Sequence, residues 1–356
     1  MASHERLDYI HGLRGLAALL VVAQHAMQIP NDAGNMLFRP ILDTVNLGRF
    51  GVVLFFLISG FVIPFSFKPG LPQPVRQFWL GRFFRLYPAY WLSLIATVTI
   101  FAMWGRPFSA SLIAQNVTML QGFWGSANIG PGYWTLTLEM AFYAMCAMLF
   151  ARGQLRNVDL IGFGVLLGLA LVCGPYVTKL YFGAPRYLPL ESFFLVFFFL
   201  GMVVRMAVID GDEKARRWAM LLVPAITLGT FVHGGGFFPV PVNANPYLRP
   251  LPVISATLAA VLFFLAVLRW QPRFSAMFMY FGTISYSVYL FQDVGLHLLP
   301  RWMPAATYPA AFCLAVLGMT VVIAALVYAL VEKPMLDLGR RVSARSLRPS
   351  PAPLAA

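Results

Sequence analysis

Ten apolar runs punctuate the chain, each bounded by charged or turn-forming residues, near 8–28, 48–67, 82–103, 133–151, 158–175, 189–208, 216–232, 252–268, 279–299 and 308–331. Runs of about 17–25 apolar residues are the length an α-helix needs to cross a bilayer. The pattern therefore predicts an all-α, polytopic membrane helix bundle with about ten transmembrane helices. The tightest breaks carry Pro and Gly, as in Lys68-Pro69-Gly70 and Gly130-Pro131-Gly132, which favour turns over continued helix. Residues 1–335 read as the membrane domain, and 336–356 as a short basic, Pro-rich tail, disordered after Arg348. No internal repeat is visible.

Composition strengthens this reading. The 356 residues are 60% hydrophobic and only 11% charged, against about 45–50% and about 25% in soluble domains. A water-soluble core could not hide so much apolar surface. The net charge of +13 could suggest nucleic acid, but loop position explains it better. Lys68, Arg76, Arg152, Arg156, Lys214, Arg216, Arg217, Arg269, Arg273, Lys333, Arg340 and Arg341 fall on one side of the ten-span pattern, with Arg39, Arg106, Arg249 and Arg301 among the few on the other. By the positive-inside rule the richer side, which includes both termini, is cytoplasmic. No nucleic-acid partner is expected.

His4 and Arg6 before the first run give it some likeness to a signal peptide. Arg14 and Gln24-His25 bracket that run, and it reads as a retained helix. Cys146, Cys173 and Cys313 each sit in an apolar run without CxxC spacing or clustered His, so neither a disulfide framework nor a metal site is expected. Two long outer loops, near 104–132 and 233–251, are rich in Gly, Asn and aromatic residues, among them Asn116, Gln121, Trp124, Asn128, Asn243 and Asn245. Such loops can cover a site or bind a sugar, or can simply connect helices.

Candidate chemistry lies in the spans. An ionisable group in hydrocarbon is costly and points to function. Arg14 and His25 in the first span, Glu139 in the fourth, and Asp293 beside Gln292 in the ninth stand out. Eleven residues make about three helical turns, so Arg14 and His25 share a face roughly 16 Å apart along the axis. Ala18 and Val21 between them are small enough to leave a groove for a long molecule, held at its anionic end by Arg14 with its reactive end near His25. A snorkelling Arg and an interfacial His are the plainer alternative. Glu139 is expected near the depth of His25, where a carboxylate could orient the imidazole. Arg82 and Arg85 open the third span at i,i+3. Paired guanidinium groups suit phosphate, and equally suit a positive-inside anchor.

Several motifs in order resemble the acyltransferase-3 family of membrane acyltransferases. They are Leu7-Asp8 through Arg14 to His25; Gly51-Val52-Val53-Leu54-Phe55-Phe56-Leu57-Ile58-Ser59-Gly60-Phe61; Arg82-Phe83-Phe84-Arg85-Leu86-Tyr87-Pro88; Tyr133-Trp134-Thr135-Leu136-Thr137-Leu138-Glu139; Ser285-Tyr286-Ser287-Val288-Tyr289-Leu290; and Glu332-Lys333-Pro334. The resemblance spans nearly the whole chain. It implies transfer of an acyl group, usually acetyl, from cytoplasmic acyl-coenzyme A to a hydroxyl of an extracytoplasmic or lipid-linked glycan. No cofactor would be bound permanently.

The resemblance maps Arg14 and His25 onto the family's essential pair, and Arg82 and Arg85 onto its coenzyme-phosphate motif. His25, oriented by Glu139, is then the expected general base; a covalent acyl-histidine is a variant. Arg14 holds the donor, and Trp134, Tyr286, Tyr289 and Gln292 are expected at the acceptor. One departure is Gln292, where many members carry His; this lessens any proton-transfer role for the ninth span. The expected setting is the lipid bilayer of a bacterial cytoplasmic (inner) membrane, with acyl-coenzyme A and a carbohydrate acceptor as partners and homo-oligomers allowed. The rival functions are a transporter or flippase of a glycan or lipid, which predicts broken helices in repeated halves, and a non-catalytic scaffold.

Overall fold

The computed structural model describes residues 7–68, 70–182, 190–233 and 249–345. The tail after Arg348 and most of the loop expected over 233–251 lie outside the described residues. Thirteen α-helices and no strand occur among the described residues: α1 (Asp8–Asp32), α2 (Arg39–Thr44), α3 (Leu47–Val62), α4 (Pro74–Met103), α5 (Ala110–Val117), α6 (Tyr133–Ala151), α7 (Val158–Phe182), α8 (Leu195–Val208), α9 (Glu213–His233), α10 (Pro250–Trp270), α11 (Ala276–Leu298), α12 (Pro309–Val327) and α13 (Lys333–Arg345). Each apolar run expected to span overlaps an α-helix, the run near 189–208 meeting only the 14-residue α8 and a short 3-10 segment, Leu190–Phe194, before it. Among the described residues, six helices, counting each with the segment that continues it, are long and apolar enough to cross a membrane on length and hydropathy alone. The chain is an all-α polytopic membrane bundle.

Two boundaries differ from the pattern. Pro74 starts α4, preset at the first helical turn where its missing N–H costs nothing. Arg82 and Arg85 therefore lie two to three turns inside that helix instead of opening it. At the other end, α12 does not stop near 331. A π-turn over Tyr328–Glu332 carries it directly into α13, which packs along α4. The first part of the expected tail, up to Arg345, is thus a helix docked on the bundle.

Helix α1 sits centrally, packed against α11, α3 and α12. Between membrane helices, close packing of small residues drives association. A Cβ on Gly282 would fall 2.2 Å from the His11 carbonyl oxygen, and one on Gly15 would fall 2.5 Å from that of Phe278, so α1 and α11 touch backbone to backbone. Gly60 and Gly201 join α3 to α8 in the same way, with a Cβ at Gly60 falling 1.8 Å from the Phe198 oxygen.

Loops assigned to one side by the charge pattern meet one another. At one end Arg156 approaches Asp210 at 4.0 Å, Lys214 pairs with Asp159, and the Arg205 guanidinium lies 4.4 Å from the Phe65 ring centre. At the other end Arg249 pairs with Asp43 at 3.3 Å, and Asn35 donates to the Ala306 carbonyl at 2.7 Å.

The loop 104–132 is built differently from a sugar-binding loop with free amides. Asn116 is fully buried, donates to the carbonyls of Leu112 and Ala127, and accepts from the Ile129 amide. Gln121 donates to Asn128. These amides hold the loop folded; Trp124 remains exposed on its surface.

Candidate functional site

Two polar stations divide α1. The outer one is His25. Its Nδ1 lies 3.0 Å from Gln292 Oε1 on α11, while Gln292 Nε2 donates to the Tyr289 carbonyl at 2.9 Å. The second contact fixes the amide orientation, because only the NH₂ end can donate to a carbonyl. Oε1 therefore faces the imidazole as an acceptor, and Nδ1 must carry the proton. Nε2 is left with its lone pair, the form a general base requires. Gln292 is almost wholly buried, so this orientation is enforced by packing as well as by hydrogen bonds.

Glu139 was expected to play that orienting part. It instead belongs to the inner station, where it accepts hydrogen bonds from Ser59 Oγ, at 3.4 Å, and from the Tyr143 hydroxyl. The reason is helix phase: six residues into α6, Glu139 faces α3 and the Arg14 cavity. Gln292, whose place in the ninth span was read as lessening proton transfer there, is the residue that touches His25.

The inner station surrounds a cavity of about 50 Å³ lined by residues that include Arg14, Phe55, Ser59, Thr135, Glu139, Tyr286 and Tyr289. Arg14 interacts electrostatically with Arg85, Glu139, Tyr143 and Glu332. No hydrogen bond and no ion pair within 4.0 Å holds its guanidinium among the described residues. A guanidinium offers five donors; those of half-buried Arg14 face a cavity and two carboxylates beyond direct contact. The groove expected between Arg14 and His25 is closed, since Ala18 and Val21 are buried in packed core. Tyr289 forms part of the wall, its hydroxyl bonded to Thr135 Oγ1 at 2.9 Å and to the Gly132 carbonyl at 3.1 Å.

The other expected residues separate. Tyr286 lines the inner cavity and donates to the Leu86 carbonyl at 2.9 Å. Trp134 packs against Phe194 and Phe56, ring centres 5.1 and 6.3 Å away, and does not line the cavity. Arg85 turns inward toward Arg14 and Glu332. Arg82 turns the other way, its guanidinium against the rings of Phe78 and Tyr143 at 5.3 and 5.4 Å, and donates to Ser66 Oγ at 3.3 Å.

Two carboxylates complete the picture. Glu332 is buried, accepts from Ser287 Oγ at 2.9 Å through Oε2, and has no partner for Oε1 among the described residues. The sequence hid it at the end of an apolar run beside Lys333, where an interfacial place is the natural expectation; the π-turn rotates it inward, a frequent use of such turns. Asp293 is also buried, with Oδ1 unpartnered, and a Cβ at Gly130 would lie 3.0 Å from its Oδ2. It stands beside Gln292 in sequence but in neither station.

Known proteins bear on what this arrangement does. The acyltransferase-3 family, described as an acyltransferase domain, matches residues 7–329. The chain is 29% identical to BcsY of Komagataeibacter xylinus, whose name proposes a membrane-bound transacylase, over 95% of this chain and 85% of that protein. It is 30% identical to the acyltransferase MdmB of Streptomyces mycarofaciens over 49% of this chain and 47% of that one. It is 26% identical to the peptidoglycan O-acetyltransferase OatA of Listeria monocytogenes over 50% of this chain and 30% of that one. The matched part thus spans about half of MdmB and less than a third of OatA. No solved structure matches.

Proposed function

This chain belongs to the acyltransferase-3 family, a multi-pass membrane O-acyltransferase, and on that premise we propose that it moves an acetyl group from acetyl-coenzyme A to a glycan hydroxyl. The donor enters from the cytoplasm and the acceptor from the far side of the bacterial cytoplasmic membrane. Both termini are cytoplasmic, so a reporter fused to either end and found outside would overturn the orientation. O-acetyl transfer to peptidoglycan in the name of OatA and the charge pattern support this direction.

The observation that carries the mechanism is the imidazole locked by Gln292. With Nδ1–H committed to Gln292 Oε1, Nε2 takes the proton of the acceptor hydroxyl as its oxygen attacks the thioester carbonyl. The new C–O bond forms, the C–S bond breaks, and the imidazolium returns its proton to the departing thiolate. Gln292 stabilises the imidazolium through the same hydrogen bond. Arg14 lies roughly 16 Å below His25 on an ideal helix, too far to polarise the same carbonyl. Its part is to hold the donor's arm, whose amide oxygens and phosphates match unbonded guanidinium donors. Entry of that arm past a 50 Å³ cavity requires the Tyr289 hydroxyl to leave Thr135 and Gly132.

The test is direct. Purified protein is incubated with acetyl-coenzyme A radiolabelled on the acetyl group and with candidate glycans. Label in the glycan, dependent on His25, is expected; label that never leaves the donor defeats the proposal.

A further inference from the structure

Asp293 is a buried acidic side chain that the mechanism above leaves unused. It lies on α11, one turn beyond Tyr289 on the same face, and is only 4% exposed. Its Oδ1 is enclosed without a partner. No hydrogen bond or ion pair reaches either carboxylate oxygen among the described residues. His297, one turn further on, donates from Nδ1 to the Asp293 backbone carbonyl at 2.7 Å instead. Burying a polar group without a partner is costly, so packing alone would favour an apolar residue here.

The carboxylate points at a turn on the outer side. A Cβ on Gly130 would fall 3.0 Å from Asp293 Oδ2 and 2.7 Å from the Tyr133 ring. The Gly130-Pro131-Gly132 backbone therefore rests directly on the acid, an approach that only glycine permits at position 130. Gly130 is buried and Pro131 is exposed, so this turn is the cover between the carboxylate and the outer surface. One of its ties is the Tyr289 hydroxyl, which donates to the Gly132 carbonyl at 3.1 Å. Tyr289 is also the group that must move when the donor's arm enters. Arrival of the donor thus loosens the cover over Asp293.

We propose that Asp293 anchors the acceptor: with the turn displaced, its two oxygens accept hydrogen bonds from adjacent hydroxyls of an uncharged sugar and place a neighbouring hydroxyl at His25. The proposal rests on the function given above and deepens it by naming the group that selects the acceptor. An ionised carboxylate only accepts, and its charge-assisted bonds to hydroxyls are strong and directional. Gln292, the next residue back along α11, holds His25, so base and anchor are fixed to one rigid helix. A sugar carrying its own carboxylate at this place would meet a like charge and be rejected.

The experiment uses the full chain in detergent, with Asp293→Leu and Asp293→Asn. Cellotriose and chitotriose are titrated by calorimetry in the presence of coenzyme A, which occupies the donor site without reacting. Analogues of each, lacking one hydroxyl of the terminal sugar, are titrated alongside. Affinity for the oligosaccharide is expected to fall about 10–100-fold in Asp293→Leu, the worth of a hydrogen bond to a charged group, and less in Asp293→Asn, which keeps one accepting oxygen. One deoxy analogue should bind wild type more weakly and lose nothing further in Asp293→Leu. Coenzyme A affinity should hold in both variants, and the unfolding temperature of Asp293→Leu should hold or rise. Wild-type protein that binds neither oligosaccharide, or variants that bind them unchanged, overturn the proposal. So does a loss of sugar and coenzyme A binding together with a lowered unfolding temperature, which would make Asp293 structural. Sugar binding that depends on Asp293 without any acetyl transfer defeats the proposed function and leaves the anchor standing. Acetyl transfer to these sugars with an unchanged acceptor KM in Asp293→Leu removes the anchor and leaves the function standing.

Discussion

The outer and inner stations of α1 solve opposite problems with the same kind of material. At the outer one, every hydrogen-bonding choice is already made: His25 to Gln292, and Gln292 to the Tyr289 backbone. At the inner one, Arg14 has carboxylates on two elements around it and a direct bond to neither, and Glu332 Oε1 has no partner among the described residues. Leaving polar groups unpaired in a buried site is costly. A membrane protein that does so beside a cavity keeps those groups for a ligand. The fixed station suits proton transfer, which needs one tautomer in one place. The open station suits a visitor that brings its own partners.

This contrast breaks first at His25. His25→Gln is expected to keep donor binding and lose transfer by about 10²–10⁴-fold, the usual contribution of a positioned base. Donor affinity and transfer rate measured on one preparation decide it, and near-normal transfer would remove the base from the mechanism. Gln292→Leu comes next. It leaves His25 in place but strips the acceptor from Nδ1–H, so both tautomers and several ring orientations become available. A hydrogen bond to a charged group contributes about 1.5–3 kcal/mol, which translates to a loss of roughly 10–100-fold. Gln292→Glu, which restores an acceptor, should recover most of it; equal losses in both variants would show that Gln292 only fills space.

At the inner station the effect should be smaller in rate and larger in stability. Glu332→Gln keeps an oxygen for Ser287 Oγ but removes a negative charge near Arg14 and Arg85. The guanidinium groups lose a compensating charge in a low-dielectric setting. A stability loss of about 1–2 kcal/mol is expected, below the 3–5 kcal/mol of a directly bonded buried pair because contact here is indirect. Transfer should fall tenfold or less. Thermal unfolding in detergent checks the first part, and an unchanged midpoint would mean that Glu332 does not balance these arginines.

Much of this architecture was legible in the sequence. The ten apolar runs have no other physical outcome, and Arg14, His25 and Glu139 announce themselves as ionisable groups in hydrocarbon. What the sequence hid is which of them meet. Gln292 is 267 residues from His25 and is uncharged, so no rule about buried charge singles it out as a partner. Which neighbour Glu139 meets depended on the phase of α6, which apolar patterning cannot fix when the helix carries apolar residues all round. Glu332 and α13 were concealed together by the π-turn, since hydropathy cannot distinguish a helix that ends at the interface from one that continues along it. In the outer loop, Asn116 and Gln121 looked available for a sugar, but both are buried, and short-range hydrogen bonds take the Asn116 amide and the NH₂ of Gln121.

The smallest expected effect sharpens the contrast from the side. Trp134 carries an indole that sequence alone places at the acceptor, yet its ring rests on Phe56 and Phe194 between α3 and the start of α8. Aromatic pairs of this kind add about 0.5–1.5 kcal/mol beyond burial. Trp134→Phe retains an aromatic face for both neighbours and removes only the outer ring and one N–H. Stability should therefore fall by about 1 kcal/mol or less, with KM for the acceptor and kcat both within about twofold of wild type. If the indole instead stacks on a sugar, the larger face of Trp matters and acceptor KM should rise well beyond that while stability holds. A rise in acceptor KM of tenfold or more at unchanged unfolding temperature would move Trp134 from the packing into the acceptor site. It would also mean that the acceptor reaches deeper between α3 and α6 than the His25–Gln292 station alone requires.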